Sequence, residues 1–186
     1  MTEEYFDIVD QNDKLLGTKK PRTVVHQEMR DWHRATHIWI ISRGEQILCQ
    51  QRSLNKDSNP GQWQSFFGGH VQTGQTYEQA AKQELKEELG IELEVLRLLQ
   101  PIYKIKNVPY KHHIMVYVLQ WDAYIKDLSP NPQEIAELRW FSESGLKTSI
   151  EKGVFCNQFD KYIADFLQEN LKKPAKKTDF PVLYEE

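Results

Sequence analysis

Bulky apolar residues alternate with smaller or polar ones over residues 5–9, and the polar run Asp10-Gln-Asn-Asp13 breaks the alternation, which predicts an opening β-hairpin. Residues 23–28 read as a short helix. Residues 33–42 have the β-branched and aromatic content of a strand. Arg43-Gly44 turns this strand into a second one over residues 46–52. A polar loop, residues 53–62, follows and carries the turn signal Asn59-Pro60-Gly61.

The clearest helix spans residues 77–89. Thr76 is placed to cap its first turn, Gln79 stands where a capping-box partner belongs, and Gly90 is placed to end it. Tyr77, Ala81, Leu85 and Leu89 recur every fourth residue and form one apolar stripe that must face a sheet. Two strands are expected over residues 93–102 and 112–121, then a proline-punctuated loop and another strand at 137–141. A last amphipathic helix, 157–171, would bury Phe159, Ile163, Phe166 and Leu167. Mixed strands with helices on both faces predict an α/β fold, a three-layer α/β/α sandwich around a mixed β-sheet.

The chain has 186 residues, enough for one domain with a full core, expected over residues 1–171, with 172–186 as a C-terminal tail. Hydrophobic residues make up 39% and charged residues 27%, ordinary globular usage that excludes a disordered polymer. No apolar run approaches the roughly 20 residues needed to cross a bilayer. The opening Met1-Thr-Glu-Glu-Tyr5 lacks a basic-then-apolar signal, and Cys49 and Cys156 lie far apart, so a cytoplasmic, reduced protein is expected. A net charge of -3 lacks the basic footprint of a nucleic-acid binder. The local basic run at 171–177 reads as a solubilising helix end and tail. Nothing in the sequence reports an oligomeric state.

Candidate chemistry concentrates on the 77–89 helix. Glu84, Glu87 and Glu88 share about a third of its circumference and border the apolar stripe. Like charges so spaced repel by roughly 0.2–0.5 kcal/mol per pair, and a cation between them reverses the sign. Clustered hard oxygens suit Mg²⁺ or Mn²⁺. Ahead of the helix, Gly68-Gly69-His-Val-Gln-Thr-Gly74 is a loop whose glycines let the backbone bend and approach a ligand.

From Gly69 to Ile91 the chain reads Gly-x5-Gln-x7-Gln-Glu-Leu-x-Glu-Glu-x-Gly-Ile. This resembles the Nudix box, Gly-x5-Glu-x7-Arg-Glu-aliphatic-x-Glu-Glu-x-Gly-aliphatic, with departures at Gln75 and Gln83. The resemblance implies a Nudix-type fold and water attack on a phosphoanhydride of a small diphosphate-containing molecule. It assigns Glu84, Glu87 and Glu88 as metal and catalytic residues holding Mg²⁺ or Mn²⁺. The general base is left open between Glu84, Glu134 and Glu137. The two amides are expected to hydrogen-bond each other in place of an ion pair.

The first 90 residues or so are also similar to the isopentenyl-diphosphate isomerase branch of this superfamily, through Val9-Asp10, Gly17, His26, His33, Arg52, Lys56, Pro60-Gly61-x-Trp63 and Gly69-His70. That resemblance implies a diphosphate grip by Arg22, Arg52 and Lys56, beside the Gly68 and Gly69 backbone, and a second metal site at His26, His33 and His70. His113 is a further candidate for that site. The isomerase's catalytic cysteine, however, would fall at Gly68, and its later acidic residues appear as Lys111 and His113. The expected function is therefore hydrolysis. An isomerase-like enzyme and a low-turnover diphosphate-binding module are the alternatives.

Overall fold

The computed structural model describes residues 3–56, 58–155, 163 and 182–185. Strands β1 (Tyr5–Val9) and β2 (Leu15–Pro21) form the expected antiparallel hairpin. The turn between them is built by Asp10, whose Oδ1 accepts from the amides of Asn12 and Lys14 at 2.8 and 2.9 Å. Helix α1 (Arg22–Glu28) leads into β3 (His33–Ile41), β4 (Ile47–Arg52) and β5 (Trp63–Gln64). Then come α2 (Tyr77–Leu89), α3 (Leu93–Leu96), β6 (Leu99–Asn107), β7 (His112–Gln120), β8 (Ile135–Phe141), α4 (Glu143–Glu151) and β9 (Val182–Glu185).

Seven strands make one mixed sheet in the order β5-β4-β3-β7-β6-β9, with β8 paired to β4. β3 runs parallel to β7 and β6 parallel to β9, while the other ladders are antiparallel. β3 and β4 meet only at Ile41↔Ile47 and then part. The edge of β3 that β4 vacates is taken by the glycine loop: Thr36 N donates to Gly69 O at 2.8 Å, Ile38 N to Phe67 O at 2.8 Å, and Val71 N to Arg34 O at 2.9 Å. This divergence opens the sheet and pins the loop against its central strand.

Alternation along β3 divides the core. Ile38 and Ile40 join Leu48, Phe67, Ala81, Leu85 and Leu89 on the α2 side, whereas Ala35, Trp39 and Ile41 join Cys49, Trp63, Leu146 and Ile163 on the other. The α/β/α sandwich is thus present, and each fully buried leucine of the α2 stripe contributes about 1.5–3 kcal/mol.

The elements differ from the sequence reading in three places. Residues 93–96 form a single helical turn, so the strand begins at Leu99; Ile91 and Leu96, both buried, fold this turn into the α2-side core. Helix α4 was not expected: Ser142 caps it by accepting from Gly145 N at 3.2 Å, and Leu146 anchors it. Within the presumed tail, β9 pairs with β6. The 157–171 helix falls outside the described residues except Ile163, which is buried, and the 171–177 basic run lies outside them too. No helix of the described residues is long and apolar enough to cross a membrane.

Candidate active site

Helix α2 starts with a complete capping box. Gln79 N donates to Thr76 Oγ1 at 3.2 Å and Thr76 N to Gln79 Oε1 at 2.9 Å, while Gly90, left-handed at φ 67°, closes the last turn. With the helix so fixed, its apolar stripe decides where the glutamates go. Glu88 is buried at 8% exposure, Glu84 is half-buried and Glu87 is exposed.

Burial raises the Glu84 carboxyl to about 7, and the charges of Glu87, Glu4 and Glu134 push the same way. Glu88 is raised well above the usual carboxylate range, again first by burial and then by Glu84 and Glu134, against a 3.4 Å hydrogen bond from Gly68 N. Arg22 pulls on Glu84 and Lys56 on Glu88 in the opposite sense without offsetting burial, and oxygen donors placed in this way suit a divalent cation. The three glutamates do not converge tightly. Among the described residues, the one set of His, Cys, Asp or Glu ligand atoms gathered within 4.8 Å of one another is histidine. A magnesium-like ion, which keeps several waters and takes few carboxylates, tolerates that spread.

The two glycines are there for space. A Cβ on Gly69 would lie 2.8 Å from the carboxyl carbon of Glu84, and one on Gly68 would strike the Thr36 carbonyl carbon at 3.0 Å. Gly68 also has φ 129°, which L side chains rarely adopt. A cysteine at this position, as the isomerase chemistry requires, would need the backbone to move.

Gln75 and Gln83 do bond each other. Gln75 Nε2 donates to Gln83 Oε1 at 2.6 Å, and Gln83 Nε2 donates onward to Glu87 Oε1 at 2.7 Å. The neutral pair therefore still orients a carboxylate of the helix.

Glu84, Glu87, Glu88, Arg22, Arg52, Lys56, Gly68, Gly69, His70 and Glu134 line one cavity of about 400 Å³. Arg52 is braced by Ser58 O at 2.9 Å, Ser58 Oγ at 3.1 Å and Gln64 Oε1 at 3.1 Å. Arg22 lies 2.7 Å from Glu4, and Lys56 is ion-paired with Glu134. Glu137, which lies on β8, instead pairs with Arg139 and is not among the cavity-lining residues, so of these two candidate bases Glu134 is the one that faces the cavity. Glu4, Gln50, Gln64 and Asn131 also line it and were not singled out from the sequence, because polar residues on scattered elements carry no spacing signal.

The histidines gather differently from expectation. The ligand atoms of His26, His33, His70 and His112 lie within 4.8 Å of one another. His113 is elsewhere, with Nε2 3.0 Å from Asp10 O and its ring stacked on Trp32. The parallel register His33↔His112 turns His112 toward the cluster and its neighbour to the opposite face. That pairing joins strands far apart in sequence, and no local pattern announces it. His33 Nδ1 sits 3.0 Å from Asp31 O, while its buried Nε2 has no hydrogen-bond partner among the described residues. His26 Nε2 faces His70 Nε2 at 3.2 Å. Burial lowers all of these imidazoles, His33 to about 4, so each keeps a lone pair at neutral pH.

Comparison with known proteins agrees with this geometry. The NUDIX domain model matches residues 31–157. An uncharacterised Nudix hydrolase of Clostridium acetobutylicum is 36% identical over 177 residues, covering 85% of this chain and 83% of that protein. Nudix hydrolase 3 of Arabidopsis thaliana is 45% identical over 94 residues, but the match takes 50% of this chain and only 12% of that protein. The isopentenyl-diphosphate Delta-isomerase of Brevibacterium linens is 27% identical over 149 residues, 77% of this chain and 80% of that one. Among solved structures, a Deinococcus radiodurans protein superposes with a TM-score of 0.71 at 25% identity, covering 89% of this chain and 98% of that one. Box, sheet, cavity and relatives agree: the chain belongs to the Nudix superfamily.

Proposed function

We propose that this chain is a divalent-metal-dependent hydrolase that cleaves a phosphoanhydride in a diphosphate-containing small molecule. One observation carries the reading: half-buried Glu84 and buried Glu88, raised out of the ordinary carboxylate range, line the same cavity as Arg22, Arg52 and Lys56. Glu84, Glu87 and Glu88 would hold Mg²⁺ or Mn²⁺, which when bound neutralises phosphate charge and activates water. The two guanidiniums and the ammonium bind and orient the diphosphate. The Gly68-Gly69 backbone lets it approach the helix, and Glu134 is the carboxylate positioned to take a proton from the attacking water. Gly68 leaves an isomerase without its thiol. The cytoplasmic setting expected from the sequence belongs to the same reading.

The test is a screen of nucleoside and other organic diphosphates with Mg²⁺ and Mn²⁺. Release of phosphate or a monophosphate is expected. Proton exchange into isopentenyl diphosphate without hydrolysis would replace this reading with the isomerase one, and tight binding without turnover with the binding module.

A second metal is favoured by the Nε2 of His33, which has no hydrogen-bond partner among the described residues and lies within the four-imidazole cluster. Imidazole donors suit zinc or iron rather than magnesium, and Asp31 O is placed to hold the His33 ring in the ligating tautomer. Elemental analysis after dialysis without chelator is expected to find a stoichiometric transition metal. Its absence would end the idea.

A further inference from the structure

Two of the cavity's three candidate phosphate-binding cations already face a carboxylate. Lys56 is ion-paired with Glu134, and Arg22 with Glu4, whereas the contacts of Arg52 among the described residues are to neutral oxygens of Ser58 and Gln64. The Lys56–Glu134 pair is the more sheltered, with side chains 28% and 36% exposed against 49% and 38% for Arg22 and Glu4.

The backbones that carry the pair are fixed. Ser53 N donates to Glu134 O at 2.8 Å, Lys56 N to Ser53 O at 3.2 Å, and Asn131 N to Glu88 O at 2.9 Å. The loop bearing Glu134 is thereby tied both to the end of β4 and to the last turn of α2. Only the two side chains are left to change partners. A carboxylate and a phosphate oxygen make the same demand of an ammonium, a short charge-assisted contact, so they compete for it one for one.

Resting on the hydrolase reading above, we infer that Glu134 is a surrogate anion for Lys56, displaced by the substrate's phosphate, so that diphosphate binding is what frees the Glu134 carboxylate. Lys56 then does two things in sequence. Before binding it covers the candidate base, and on binding it grips phosphate and releases that base beside the reacting group. Water attack is thereby coupled to occupancy of the phosphate subsite. The pair also sets a cost on binding, because every bound diphosphate must break it.

The experiment is a double-mutant cycle read by calorimetric affinity for inorganic diphosphate in Mg²⁺, with no turnover required. Removing the competitor in Glu134→Gln is expected to tighten binding about three- to fivefold, the upper range for a part-exposed ion pair. The gain should persist with Lys56→Arg, which keeps a cation, and should vanish with Lys56→Met, circular dichroism confirming that each variant is folded. An unchanged or weaker affinity in Glu134→Gln, or an equal gain in the Lys56→Met background, overturns the inference. A wild-type protein that binds no diphosphate at all overturns it together with the hydrolase reading.

Discussion

The side-chain amides of Gln75 and Gln83 are hydrogen-bonded at 2.6 Å, in the two positions where the family's box usually carries an acid and an arginine. Gln83 spends its other amide function on Glu87 at 2.7 Å. The usual ion pair is thus replaced by a neutral relay, and neutral bonds are roughly half as strong as charge-assisted ones. Restoring both residues, Gln75→Glu with Gln83→Arg, is expected to raise turnover by roughly three- to tenfold, the effect of about 1 kcal/mol at the barrier. Initial rates across a range of Mg²⁺ concentrations check this, and no gain at any of them counts against it.

Gly69→Ala tests the close approach of loop and helix. The new methyl would meet the Glu84 carboxyl group, so either that side chain swings away or the loop shifts. Small-to-large strain of this kind costs about 1–3 kcal/mol. The variant should fold with a lowered Tm and bind Mn²⁺ more weakly, as titration would show.

A pH dependence follows from Glu84. Its folded value of about 7 lies above the ordinary 4.5, so the folded protein holds a proton there that the unfolded chain has lost. The metal-free protein should therefore be favoured below pH 4.5 by this group and lose that contribution as pH rises toward about 7. Over the same window Mn²⁺ should bind more tightly as the competing proton leaves. Tm against pH, with and without Mn²⁺ and in Glu84→Gln, separates the two effects, and a pH-independent Mn²⁺ affinity would contradict them.

Asp13 gives the opposite sign. Burial alone would raise its carboxyl, but the hydrogen bonds from Lys104 and Arg34 outweigh it and hold the group below 3.8. Its stabilisation is present above the unfolded value and is lost as pH falls through the lower folded one. Asp13→Asn should lower Tm at pH 7 and much less in acid, once the pH has fallen through the lowered folded value and the wild type is itself protonated. Equal losses at both pH values would mean that charge is not what binds the hairpin to the sheet here.

How far the sequence reveals this molecule depends on range. Thr76, Gln79 and Gly90 predict α2 because capping is decided within a few residues, and the stripe from Ala81 to Leu89 predicts which side meets the sheet. The glutamates and the glycine loop follow from the same local spacing. By contrast, Leu93–Leu96 is too short for a helical period to show, and α3 stands where the sequence predicts strand. Whether His112 or His113 joins the cluster depends on the parallel pairing of β3 with β7, which no local pattern records. The partners of Lys56 and Arg22 are hidden for the same reason: Glu134 and Glu4 reach the cavity from other elements.

The central claim is tested most directly by comparing wild type with Glu88→Gln for hydrolysis of organic diphosphates in Mg²⁺ or Mn²⁺, both proteins matched by circular dichroism. The account predicts release of phosphate or a monophosphate by the wild type and a fall on the order of a hundredfold in the variant. Equal rates in the two proteins would show that the carboxylates of α2 are not where the chemistry happens.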